Sequence, residues 1–247
     1  MRAGTRRRLI ALAVVSFTML TAIPAPGYVF LSNNPRWPDG HIVMHLQFGN
    51  SGTLTDGASS WGASAEDAMS LWNRYLDRAQ FTVVRDSTSP NGDGNGINNM
   101  FWSSTIYGRS FSSTGVTIGF GALAVTTTWT RGSTRTEADI IFNNQYFFNS
   151  YRGTLRAGTV TGRTYDFRRV AIHELGHALG LDHPDQAGQN VTAVMNANTS
   201  DLDTLATDDI SGGRALYASA FGNGTIAFPP QNELLQIEGR GIQPVCR

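Results

Sequence analysis

The sequence predicts a mixed α/β (α+β) fold built on an open, twisted sheet. Three observations carry that expectation: a strictly alternating run at residues 41–48, a helix-spaced run at 59–79, and strand-like segments that give way to helical patterning late in the chain. With 247 residues, 40% of them hydrophobic, the chain can build one domain of about 200 residues around a real core.

The elements follow in order. His41 to Phe48 sets Ile42, Met44, Leu46 and Phe48 on one face and His41, Val43, His45 and Gln47 on the other, a half-buried strand. On a strand, the i,i+4 spacing of His41 and His45 does not bring two imidazoles to one metal. Ser59 to Ala79 repeats Ala65, Ala68, Met69, Trp72, Tyr75, Leu76 and Ala79 at helical spacing, with Glu66 and Asp67 assigned to its first turn. Phe81 to Val84, Ile97 to Trp102, Gly115 to Thr128 and Ala138 to Phe142 are further strand candidates. Asn91 to Gly96 is a turn-rich loop whose oxygen side chains match a calcium loop in composition. No acidic residue closes it at the EF-hand distance, so a calcium site and a plain Asn/Gly loop both stand as readings. A helix is expected near Ala206 to Ala218, and from Phe221 onward little helical or strand patterning remains.

The N-terminus has a different character. Arg2, Arg6, Arg7 and Arg8 precede an apolar run from Leu9 to Ile23 and the small residues Ala25 and Gly27, the three-part layout of a secretory signal with cleavage after Gly27. A membrane span needs roughly 20 apolar residues, more than this run supplies. The expected organisation is therefore a signal peptide at 1–27, a catalytic domain at 28–220 and a tail at 221–247, with export to the extracellular space or periplasm. All 19 basic residues are arginine and balance 19 acidic ones, so no charge excess points to nucleic acid or an anionic membrane as partner. The single cysteine, Cys246, excludes an internal disulfide and reads as a free thiol on the tail.

Chemistry concentrates at residues 173–183, His-Glu-Leu-Gly-His-Ala-Leu-Gly-Leu-Asp-His. On a helix, His173 and His177 lie one turn apart on the same face and can share one zinc ion. Glu174 is one step round from His173 and can border the metal without binding it, as a general base. Gly180 can take the positive φ that ends a helix and lets His183 swing back as third ligand. Three protein ligands leave a fourth position, the layout of catalytic rather than structural zinc. A chance match to the first five residues arises in roughly two of a thousand such sequences, and to the whole pattern in roughly a few of a million. The predicted chemistry is hydrolysis of a peptide amide, with zinc activating water and Glu174 moving the proton.

The run from His173 to His183 resembles the signature of the metzincin metalloproteases. Met195, in Ala193-Val194-Met195-Asn196, sits where that clan has its Met-turn, an apolar floor under the metal. Within the clan the chain is most similar to the matrixins, in a short bacterial-looking form. Ala65 to Asn73 resembles their first helix, Glu137 to Asn143 the strand ahead of the active-site helix, and Leu205 to Tyr217 their C-terminal helix. The resemblance implies a metzincin-like twisted sheet, one catalytic zinc, a protein or peptide substrate and a monomeric enzyme with no stable membrane association after signal cleavage. It also admits calcium, with Asp93 and Asp139 as the carboxylates. There are departures. Pro184 replaces the usual serine, no tyrosine closely follows Met195, and no histidine between His45 and His173 could serve a second zinc site. No stretch before Pro35 leaves room for a propeptide with a cysteine switch. A fold-back of the tail would be the one way for a thiol, that of Cys246, to reach the metal.

Overall fold

The computed structural model describes residues 27–116, 118–218 and 238–246, the last stretch by its backbone alone. The signal segment and the first part of the tail therefore lie outside the described residues. In chain order the elements are β1 (Val29–Phe30), β2 (His41–Gln47), α1 (Trp61–Tyr75), β3 (Gln80–Val84), β4 (Asn98–Ser103), a 3₁₀ turn (Phe111–Thr114), β5 (Ala124–Arg131), β6 (Thr134–Asn143), β7 (Phe147–Asn149), β8 (Thr164–Asp166), α2 (Phe167–Leu179), β9 (Leu181–Asp182), α3 (Thr207–Leu216) and β10 (Glu238–Cys246). Six strands form one sheet in the order β10-β5-β6-β4-β2-β3. The last four are parallel neighbours, while β5 runs antiparallel to both β6 and β10. Small two-stranded sheets pair β1 with β9 and β7 with β8. The mixed α/β expectation is met.

Helices α1 and α2 cover one face of the sheet, because each offers an apolar stripe to it. Ala65, Met69, Trp72 and Leu76 of the first helical segment and Phe167, Val170, Ile172 and Leu175 of α2 join Ile42, Met44, Leu46, Met100, Ile140 and Phe142 in one core. The alternate residues Phe101, Val125 and Ile141 point to the other face and pack with Ile106, Phe111 and Val116. Strand β2 alternates as its sequence requires. His41 and His45 stand apart on it, with Nε2 of His41 near Thr82 Oγ1 (3.2 Å) and Nδ1 of His45 near Ser87 Oγ (2.9 Å). Among the described residues no helix is long and apolar enough to cross a membrane.

Several elements differ from the sequence reading. Helix α1 starts at Trp61 behind a Ser60 N-cap whose hydroxyl accepts from Ala63 N (3.0 Å), and Glu66 and Asp67 lie in its second turn rather than its first. There Asp67 pairs with Arg152 (2.9 Å) and Arg168, tying α1 to α2. The same helix ends early because Asn73 spends its amide on both backbone groups of Phe81 (2.8 Å each), drawing the chain into β3. Strand β5 begins at Ala124 rather than Gly115. Gly121 (φ +89°) passes so close to the 3₁₀ turn that a Cβ would stand 2.6 Å from Phe111 C, which holds this stretch as a loop. Strand β5 runs on past Thr128 to Arg131 and β6 starts earlier, at Thr134, so the two form a hairpin with Gly132 (φ +61°) at the first turn position. A further difference is β10 in a tail expected to be unpatterned. Its Gly239, Gly241 and Pro244 hide any alternation, and its pairing is made by backbone.

The Asn91–Gly96 loop meets an acid after all, but as a carboxylate receptor. Gly94 N (3.1 Å) and Gly96 N both donate to Glu137, an amide nest around an anion. Asp139 accepts from Asn99 N (2.6 Å) and from the Tyr107 hydroxyl. These bonds engage both oxygens of each carboxylate, and Asp93 stands exposed on the loop.

Burial pushes the Asp139 carboxyl up to about 7, with the hydrogen bonds from Tyr107 and Asn99 opposing it. An acid with a raised folded-state pKa binds more protons folded than unfolded, where Asp titrates near ~4. Its ionisation therefore costs stability progressively as pH rises from about 4 to about 7. Asp139→Asn removes that titration, so its stability relative to the parent should improve between about pH 4.5 and pH 8, read from denaturant midpoints. A pH-independent difference would rule Asp139 out as the titrating group.

Candidate metal centre

Helix α2 carries the centre and is buried along its whole length. Asp166 caps it, accepting from Arg168 N and Tyr151 N (3.2 Å each). Trp72 Nε1 donates to Ile172 O (2.9 Å), Trp37 Nε1 to Ala178 O (2.9 Å) and the Tyr217 hydroxyl to Leu179 O (2.7 Å). The last two donate to carbonyls that a helix end leaves without a partner. Gly180 (φ +122°) then turns the chain. A Cβ there would meet Pro35 O at 2.6 Å and Leu216 Cδ2 at 2.8 Å, so glycine is required by space as well as by conformation. Leu31 N binds Gly180 O (2.9 Å) and β9 pairs with β1, which aims the segment carrying His183 back toward the helix.

The three histidines predicted as ligands meet. Nε2 atoms of His173, His177 and His183 lie 3.0 Å from one another, and the rings are 0–1% exposed. Among the described residues this is the one group of three His, Cys, Asp or Glu side chains placed to share an ion. His173 Nδ1 donates to Val194 O (2.8 Å) and His177 Nδ1 to Leu181 O (2.8 Å). With Nδ1 carrying the proton, both Nε2 atoms present bare lone pairs toward the same point. Burial, followed by the neighbouring His183, brings His173 down to about 3 and His177 well below its ordinary value. Both rings are thus neutral near pH 7. Lone pairs facing each other at this distance repel, and a cation resolves the conflict. Tetrahedral zinc at about 2.05 Å from each nitrogen would set the nitrogens about 3.3 Å apart, close to the arrangement present. The donor set fits zinc.

Met195, 2% exposed, packs against Gly176 of α2 from a turn closed by Asn196 N to Ala193 O (3.4 Å). The same turn supplies Val194 O to His173, so it orients a ligand. Asp209 holds the turn, accepting from Val194 N (2.9 Å), Met195 N (3.1 Å) and Ala206 N (2.8 Å). Glu174 follows His173 on α2 and is fully buried against β5, its Oε2 accepting from Thr126 Oγ1 (2.7 Å). Sequence reading missed Thr126 and the role of Asp209. Asp209 had a visible cue, a second acid at the start of the last helix, but Thr126 is one of three consecutive threonines and nothing marks it.

The matrixin family model (peptidase M10) matches residues 56–218, which includes α1, strands β3 to β6 of the main sheet, the histidine triad and α3. The chain belongs to the matrixin family. Interstitial collagenases of Oryctolagus cuniculus and Sus scrofa are each 47% identical to it over 58 residues. Those matches cover 22% of this matrixin chain and 11% of each collagenase, so the likeness is local.

Gly176 lets this matrixin's Met-turn approach the helix. A Cβ on it would run into Met195 Sδ and stand 3.1 Å from Trp72 Cζ2. Asp209 pins the Met195 backbone, so the side chain has little freedom to yield. Gly176→Ala should lower stability by ~1–3 kcal/mol and weaken zinc retention, checked by thermal melts and by metal content after dialysis against a chelator. Parent-like melting and zinc content would show that Met195 can move aside freely.

Proposed function

We propose that this matrixin is a secreted zinc-dependent endopeptidase acting on protein or peptide substrates, with Glu174 as general base. The observation that carries the reading is the triad of buried imidazoles whose Nε2 atoms converge at 3.0 Å, with Glu174 next to them and oriented from β5. Export is inferred from the arginine-led apolar run at residues 1–27. The proposed enzyme is a monomer, and its balanced formal charge offers no attraction to nucleic acid or an anionic membrane.

His173, His177 and His183 would hold the ion. When bound, zinc supplies Lewis acidity, which makes water nucleophilic near neutral pH and polarises the carbonyl under attack. The chain's own residues do the rest. Glu174 takes a proton from the attacking water and delivers it to the departing amine nitrogen. Thr126 fixes which way that carboxylate points, and being uncharged it orients the base without forming an ion pair. Val194 O and Leu181 O keep the ligand rings in the tautomer that leaves Nε2 free to bind.

The test is hydrolysis of unfolded casein by residues 28–247 beside Glu174→Ala, with zinc measured in both. Zinc in both forms, a kcat lower by roughly 10²–10⁴ in the variant and loss of activity on chelation are expected. Zinc in both and turnover in neither would sink the endopeptidase reading. Thr126→Val, which keeps shape and removes the hydroxyl, should lower kcat by about 10-fold or more while zinc content and melting stay at parental values. An unchanged kcat would show that Glu174 needs no such anchor.

A further inference from the structure

Strand β10 is the outermost strand of the main sheet and covers β5, the strand that touches Glu174. It runs antiparallel to β5 from the pair Glu238↔Arg131 to the pair Cys246↔Ala124, and places Gln243 opposite Thr126. The tail backbone therefore passes along the residue that holds the general base. With β10 in place Glu174 is fully buried and the three ligand histidines are at most 1% exposed. Remove β10 from the order and β5 becomes the sheet edge beside the metal centre, while the opposite edge, β3, lies on the far side of β6, β4 and β2.

An edge strand with free backbone groups is a template for any extended chain, since main-chain hydrogen bonds need no particular side chains. A peptide that is to reach Glu174 in extended form would pair with β5, in the place β10 fills. The composition of β10 is that of a strand made to be displaced. Gly239 and Gly241 weaken a strand, and Pro244 cannot donate to the ladder. The register shifts between Gln243 and Cys246, so the pairing is least regular at the end that passes Ala124.

We infer that Glu238–Cys246 is an autoinhibitory strand, occupying the sheet edge on which an extended peptide substrate lies and yielding it to substrate by competition. The inference rests on the endopeptidase reading for what the strand blocks. Because the strand is tethered, its effective concentration at β5 is of mM order, so it can hold the edge through weak pairing and still give way.

The experiment uses the full exported chain and a Gly241→Pro/Ile242→Pro double variant. Adjacent residues of a strand direct their N–H groups alternately toward and away from the partner, so one of the two prolines removes a ladder donor wherever the pattern falls. On unfolded casein the variant should show kcat/KM at least ~5-fold above the parent, through a lower KM at unchanged kcat, with equal zinc content and melting. A second measurement needs no turnover. In the Glu174→Ala background, a fluorescein-labelled peptide of residues 238–245, which omits Cys246, should bind the double-proline form at sub-mM concentration and the form with the unaltered tail at least ~5-fold more weakly. Equal binding by the two forms, or equal KM and kcat/KM in both, overturns the inference. If neither form cleaves casein, the endopeptidase reading fails by itself, and the labelled peptide alone decides whether β10 guards this edge.

Discussion

Three imidazole nitrogens held 3.0 Å apart in a buried site, at least two of them presenting bare lone pairs, are an arrangement no folded chain adopts for its own stability. Each nitrogen would prefer a proton or water, and burial denies both. Protonation of one ring is opposed by its neighbours and by desolvation, which is why His173 and His177 sit so far below their ordinary pKa. Much of the rest of the molecule can be understood as the means of holding that triad until a cation relieves it. Metal affinity and fold stability are coupled for the same reason, since the ion's binding energy is spent on a geometry the fold alone disfavours.

The means are mostly backbone. Two carbonyls, Val194 O and Leu181 O, set the tautomers, and each comes from a segment that is itself pinned. Asp209 clamps the turn of Val194 and Met195 with one buried carboxylate that also receives the N–H at the start of α3. Burial raises the pKa of that carboxyl, while the three amide hydrogen bonds favour its charged form. The segment of Leu181 is fixed by pairing β9 with β1. The N-terminal end of the described chain thus acts on a ligand more than 140 residues away in sequence, through a two-residue strand.

What was legible in the sequence was what depends on spacing. The i,i+4 histidines, the glycine that ends α2, the alternation of β2 and the apolar stripe of α1 all declare themselves because period and residue type are fixed by one local geometry. What was not legible depends on side chains meeting across the fold. Asn73 ending α1 requires knowing that Phe81 will lie beside it. Glu137 closing the Asn91–Gly96 loop requires the pairing of β4 with β6, which no local pattern announces. Strand β10 is the extreme case, because a strand defined by backbone pairing alone need leave no pattern to find.

The topology explains why that strand lies where it does. Strands β3, β2, β4 and β6 are parallel neighbours, and parallel pairs need crossover connections that tend to cover a sheet. Strand β5 joins β6 through a two-residue turn and needs no such crossover. Its outer edge is therefore free to pair with β10, and the same strand contacts Glu174. A hydrolase for extended chains needs one strand edge open beside its metal, yet an open edge is also a hazard that proteins commonly cover or blunt. A weak strand from the same chain meets both demands. It shields the edge when no substrate is present, and its glycines and proline keep it from binding so well that the site stays closed.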